Sequence, residues 1–304
     1  MLSAILLFLL TGVIMGTPLL IMAMGGVVTE RSGTLNLGLE GTMLTGAFFS
    51  YYIAITTGNV WYGLIGGMVS GIVLAFFHGL AMIYWNTNQV VTAVAINMVA
   101  LGLTNTLMGN FSKTTSAGNN ISPGFDALFK INLGEAIIGV NWFLVLAIIM
   151  IPLTWFVIQK TTVGLAIRAV GEYPTAAATM GIRVRRVRML CFLYTGAISA
   201  LAGAALTIGD VRVFINNMTA GKGFIAFACI VFGRYTALGT AFGAIVFGIS
   251  EAIRNYIQIF AWSIPGGYMT AIMMPYIITL LLLIFSKKGV APKSWAIPYE
   301  GDED

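Results

Sequence analysis

Apolar stretches follow one another along this chain, separated by short polar or glycine-rich breaks. A helix needs about twenty residues to cross the hydrocarbon core of a bilayer. Runs of that order, bounded by charge or turn residues, lie at 2–27, 38–56, 61–84, 90–108, 142–158, 189–208, 223–232, 238–257 and 269–285, and the seventh is too short to span untilted. The pattern predicts an all-α polytopic membrane protein with these nine runs as candidate transmembrane helices. It forms a single transmembrane domain over 1–286 with a tail over 287–304.

One long polar stretch, 159–188, stands apart from this pattern. It carries Lys160, Arg168, Arg183, Arg185, Arg186 and Arg188 against one acid, Glu172. A basic excess in a short loop marks the cytoplasmic side, so the stretch reads as a cytoplasmic docking loop. Gly171 is expected to break one short amphipathic segment. Pro174 suits the first turn of the next, where its missing donor has no partner to lose. Gly181 fits the left-handed stop. The result is a helix of about two turns over 174–180, lying along the membrane with its Ala and Met side chains exposed for a partner. Counting spans from this loop places 109–140 outside as an external loop, the tail inside and the N-terminus outside.

Composition sharpens the picture. With 58% hydrophobic and 9% charged residues and a mean hydropathy of +0.91, the chain needs lipid as its solvent. The net charge of +5 concentrates in the docking loop and near Lys287 and Lys288, so topology explains it and nucleic acid does not. The first 27 residues lack a basic n-region and a convincing cleavage site, and read as a retained span. Cys191 and Cys229 lie inside apolar runs and read as small buried hydrophobes. No HExxH motif or cysteine–histidine constellation occurs, and His78 is the one histidine. Lys222 is followed by Gly223 and lacks the glycine spacing of a phosphate loop, so the chain carries no ATP-binding motif.

Chemistry is therefore left to polar groups within the apolar runs. Two stretches, 29–41 and 221–239, read as broken or re-entrant helices, because unwound backbone at membrane depth is tolerated where it lines a cavity. The span count puts both breaks inside, whereas an inverted repeat would put them on opposite sides. Asn36 and Glu40 flank Gly38 at the first break. Glu40 is either a cap that holds the break or a wall of a substrate path. Asn97, amid VVTAVAINMVALGL, either bonds a neighbouring helix or faces the path. His78 and Asn105 read as packed between helices. Glu251 and Arg254, three apart on one helix, neutralise each other. Phe224 and Phe227 offer aromatic faces that suit a flat heteroaromatic ligand, or simply pack. Gly239, Gly243 and Gly248 allow helices to approach closely.

The runs GGVVTERSGTLNLGLEGTMLTGAF, TNQVVTAVAINMVALGL, TTVGLAIRAVGEYPTAAATMGI and GKGFIAFACIVFGRYTALGTAFGA together resemble the permease subunits of ABC importers for branched-chain amino acids, sugars and nucleosides. Within that superfamily NLGLEG and TNQVV…AIN are most similar to nucleoside-type permeases. The resemblance implies a multi-pass subunit of about eight to ten transmembrane helices in the bacterial cytoplasmic (inner) membrane, which pairs with a second permease as a heterodimer around a central path for nucleosides. It implies two cytoplasmic ATPases that carry ATP and Mg, with no cofactor bound by this chain, and an external substrate-binding lipoprotein or periplasmic protein. Gly171, Glu172, Pro174 and Ala177 match the coupling motif, with Tyr173 and Met180 beside them, and Asn36, Gly38, Glu40 and Asn97 match polar core positions. A sugar or branched-chain amino acid permease is the nearest alternative. An ion-coupled transporter working alone is a further one, with Glu40 and Glu251 the acids it would use.

Overall fold

A computed structural model describes residues 2–114, 121–133, 136–260 and 291–301, together with Met273 and Ile277. The run predicted at 269–285 otherwise lies outside the described residues. Among the described residues, five helices are long and apolar enough to cross a membrane: Val60–Tyr84, Gln89–Phe111, Trp142–Lys160, Val184–Val211 and Ala237–Gln258.

The first predicted run is not one helix. It divides into α1 (Leu2–Met15) and α2 (Thr17–Arg31), bent by 48°. Gly16 lies at the bend, followed by Pro18 in the first turn of α2, where a missing N–H is tolerated. Helix α2 then runs past the predicted end at 27, and every residue from Thr17 to Glu30 is buried. It is the axis of the bundle.

After a tight bend over 32–38, α3 (Leu39–Thr57) turns back and stops at Gly58, whose φ of +68° supplies the left-handed cap. Asn59 starts α4 (Val60–Gly79) by accepting from the Trp61 N–H at 2.9 Å. A π-helical turn over Leu80–Tyr84 ends that span. Helix α5 (Gln89–Thr114) overruns the predicted boundary at 108. The expected external loop is not all loop: β1 (Phe129–Leu133) and β2 (Ala136–Val140) pair antiparallel, with Ile131 opposite Ile138.

Helix α6 (Trp142–Lys160) leads to α7 (Thr162–Glu172) and α8 (Pro174–Thr179). Then α9 (Val184–Ala204) continues through a π-helical segment to Val211, and the short α10 (Lys222–Phe232) precedes α11 (Ala237–Phe260). At 11 residues, α10 is the half-length segment its run predicted.

The bundle packs on small residues and internal hydroxyls. A Cβ on Gly248 would lie 2.3 Å from the Gly12 carbonyl, so glycine here lets α11 lie against α1, as the glycine series led one to expect. Between α2 and α9, the Thr29 and Thr195 hydroxyls meet at 2.5 Å, and Thr195 also reaches the Gly25 carbonyl at 2.8 Å. Cys191 and Cys229 are free and buried. By contrast α4 and α5 turn Ile65, Val69, Val91 and Met98 outward, a surface that lipid or another subunit must cover.

Candidate functional site

The two breaks, far apart in sequence, meet in space. Glu40 lies in the first turn of α3 and points its carboxylate at the start of α10. Its Oε1 accepts from the Thr219 hydroxyl at 2.6 Å and from the Gly221 N–H at 2.8 Å, and its Oε2 accepts from the Gly223 N–H at 2.6 Å. The first N–H groups of a helix lack intrahelical partners and carry the positive end of its dipole, so a carboxylate there is both bonded and electrostatically favoured. Glu40 is thus a cap, but of the second break and not of its own helix. A Cβ on Gly223 would lie 2.4 Å from the Glu40 backbone nitrogen, so only glycine admits this approach. Gly221 takes the left-handed φ of +87° that turns the chain into α10.

The bend at 32–38 is held from three sides. Asn36 accepts from the Gly38 N–H at 3.1 Å, a side-chain turn two residues long. Asn97 on α5 uses both ends of its amide: Oδ1 accepts from the Gly41 N–H at 2.8 Å, and Nδ2 donates to the Leu37 carbonyl at 3.0 Å. Gln89, on the same helix, accepts from the Leu35 N–H at 2.8 Å. The bond to a neighbouring helix was one of two readings of Asn97, and the geometry uses its amide that way. His78 lies edge-on to Phe192, with ring centroids 5.0 Å apart, and fills the space beside Gly38. It is fully buried, packed between helices as expected.

Sequence reasoning passed over Glu30, the strongest polar anchor of the bend. Its Oε1 accepts from the Asn36 N–H at 2.8 Å, and its Oε2 accepts from the indole N–H of Trp295 at 2.5 Å. A glutamate at the end of an apolar run looks like a boundary charge, and nothing in the local pattern shows that residue 295 returns to cover it. Gln89 was missed for the same reason, being indistinguishable from a helix-end polar residue.

Phe224 and Phe227 both lie on α10. Phe224 is 47% exposed, while Phe227 packs partly buried against the main core. Glu251 pairs with Arg254 at 2.6 Å as expected, and Lys222 joins them at 3.2 Å. Glu40 and Glu251, the two acids singled out for an ion-coupled mechanism, are therefore both engaged in hydrogen bonds or ion pairs within the chain.

The remaining predicted residues gather at the other end of the bend. Gly171 does not break its segment: α7 runs through it to Glu172. Glycine is needed there for another reason, since a Cβ would lie 2.1 Å from the Arg31 carbonyl. Thr161 opens α7 by accepting from the Gly164 N–H at 3.1 Å. Pro174 begins α8 as expected, and the left-handed Gly181, φ +83°, follows the helix. Ala177 was expected to face outward, but it is buried with Val170, Val184 and Tyr299, because a helix this short needs one apolar face against the bundle to persist. Met180 and Tyr173 do face outward, at 83% and 55% exposed. Lys293 lies over the Tyr173 ring, 4.5 Å from its centroid. Its ammonium is held above the usual lysine range by the bond to the Tyr173 hydroxyl.

Comparison with known proteins identifies the class that this arrangement serves. The chain belongs to the family described as branched-chain amino acid transport system / permease component, whose model matches residues 8–286. It is 35% identical over 305 residues to the guanosine ABC transporter permease protein NupQ of Bacillus subtilis, covering 93% of this chain and 92% of that one. It is 31% identical to the putative glucose ABC transporter permease protein TsgC13 of Haloferax volcanii, over 87% of this chain and 82% of the relative. It is 29% identical to the nucleoside ABC transporter permease protein NupC of Lactococcus lactis, over 94% of each. The chain is a multi-pass membrane protein and an ABC transporter permease.

Proposed function

We propose that the chain forms one half of the path by which a bacterial ABC importer brings nucleosides, purine nucleosides first among them, across the cytoplasmic (inner) membrane. A second, different permease completes the path, and an external lipoprotein or periplasmic protein delivers the solute. Separate cytoplasmic ATPases bind ATP and Mg and hydrolyse the nucleotide, and this chain is the non-catalytic conduit. Residues 159–188 are the cytoplasmic coupling loop, and α8 is its docking helix. The observation that carries the reading is the placing of α8: one face is seated on the bundle through Ala177, while Met180 stands clear of it and Tyr173, with Lys293 over its ring, stays half exposed. A partner that grips those exposed groups moves α7 with them, and α7 lies on the end of α2 through Gly171. Rigid-body tilting of packed helices then alternates access to the path. Glu40, Asn36 and Asn97 set the shape of the path wall by fixing both breaks, and Phe224 presents an aromatic face from α10.

The nucleoside assignment rests on the names of two relatives, and the likeness to a putative glucose permease keeps a sugar as the alternative. A binding assay of the cognate external protein against nucleosides, sugars and branched-chain amino acids decides between them, with nanomolar-to-micromolar binding of nucleosides alone expected. The coupling assignment has its own test. Glu172→Pro removes a donor from the last turn of α7 and should uncouple hydrolysis from uptake while the chain still inserts. Unchanged uptake with normal ATPase stimulation would count against α8 as the docking helix.

A further inference from the structure

The segment 291–301 lies across every element that the coupling reading requires to move together. Its Ser294 hydroxyl and N–H both donate to the Gly171 carbonyl on α7, at 2.6 and 3.0 Å. Its Ala296 N–H donates to the Gly33 carbonyl in the bend at 3.1 Å. Arg188 on α9 donates to the Ser294 hydroxyl at 3.3 Å and to the Ile297 carbonyl at 3.2 Å. Tyr299 is buried with Val170, Ala177 and Val184, which puts it on the inner face of α8.

Trp295 makes the decisive contact. Its indole N–H bonds one oxygen of Glu30, while the other oxygen of the same carboxylate holds the Asn36 N–H of the bend. Its ring meets Tyr235 edge-on at 6.0 Å, and the Tyr235 carbonyl, just past the end of α10, accepts from Arg31 at 2.6 Å. One short segment therefore touches the docking helix, the first break and the far end of the second.

We propose that 291–301 is the strap that transmits motion of α8 to the two breaks, with Trp295 and Ser294 as its positioning residues. The proposal rests on the coupling reading of α8. The direct contact of Gly171 with the Arg31 backbone is van der Waals packing, which transmits a push and little pull. Hydrogen bonds to a buried carboxylate and to backbone carbonyls resist separation as well. A transport cycle that opens to each side in turn needs both directions.

The test uses Trp295→Phe, which keeps a ring and removes the N–H, combined with Ser294→Ala. Both are introduced into the full complex, isolated through a tag on this chain and reconstituted with its binding protein. Phosphate release and uptake of labelled guanosine are measured together. The strap predicts an assembled complex whose hydrolysis stays within about twofold of wild type while uptake per ATP falls about tenfold. Unchanged uptake per ATP overturns it, and so does a parallel fall of both activities with loss of assembled complex, which is what plain scaffolding would give.

Hydrogen exchange on the unaltered complex provides a second measurement that no folding defect can obscure. The amides of Ser294 and Ala296 should stay protected with and without ATP, and rapid exchange in either state overturns the strap. If Glu172→Pro leaves coupling intact, the docking reading fails and the strap with it. If Glu172→Pro uncouples while the strap variants do not, the strap alone fails.

Discussion

Helices α5 and α9 are both apolar and both long enough to span a bilayer, yet 17% of the spanning window is buried in the first and 78% in the second. Overall hydropathy does not separate them. What separates them is the distribution of small residues. On α9, a Cβ at Gly203 would lie 2.0 Å from the Met43 carbonyl, and one at Gly196 would lie 2.7 Å from the Gly71 carbonyl, so α3 and α4 approach to backbone contact. On α5, a Cβ at Gly102 or Gly109 meets nothing within 4 Å. Helix α5 touches the bundle along one stripe, with Ala93, Ala100, Thr104 and Met108 buried and Gln89 and Asn97 reaching across to the bend. In a bilayer the tails are as apolar as the side chains, so close packing and internal hydrogen bonds decide which helix becomes core.

The largest effect should come from Glu40→Ala, which strips the cap from α10 and leaves the Gly221 and Gly223 N–H groups and the Thr219 hydroxyl without that partner. A loss of about 3 kcal/mol is expected. It is readable as a lower denaturant midpoint for labelling of the buried thiols Cys191 and Cys229 by a maleimide dye. Next comes Gly203→Ala, where backbone must shift to admit a methyl group, at a cost of about 1–3 kcal/mol by the same readout. If it proved neutral, the contrast between the two helices would lose its physical basis.

Asn97→Leu should cost about 1 kcal/mol, because it orphans the Gly41 N–H and the Leu37 carbonyl. Asn105→Leu removes an amide whose oxygen has no hydrogen-bond partner among the described residues and should change the midpoint little. Opposite in sign is Gly102→Ala on the open face of α5, where helix propensity should add a few tenths of a kcal/mol and at most about 1 kcal/mol. Should Gly102→Ala instead break an assembly that the unaltered chain forms, that face is covered by another protein surface and not by lipid.

Local signals carried much of the architecture. Periodicity and run length located most of the spans, and the polar, basic composition of 159–188 marked the stretch that holds α7 and α8. Pro174 and Gly181 bracketed α8 because proline and glycine impose their backbone requirements wherever they occur. The errors arose where a residue answered to a distant partner. Gly171 looks like a helix breaker in its own segment, but it is glycine because the end of α2 presses on it. Ala177 looks like part of an exposed patch until Tyr299 arrives to bury it. Gly16 and Pro18 were present to be read as a bend in the first run, yet apolar length alone hid the division into α1 and α2.

The sequence by itself determined that this is a lipid-dissolved helical protein with two interrupted segments and one basic polar loop, because hydropathy, charge bias and proline–glycine punctuation act over a few residues. Only the tertiary structure decided that Glu40 closes the opposite break, that Glu30 is divided between the bend and Trp295, and that α9 is core while α5 is rim. Those outcomes depend on which backbones come within hydrogen-bonding distance, and that is a property of the packed bundle and not of any one stretch of chain.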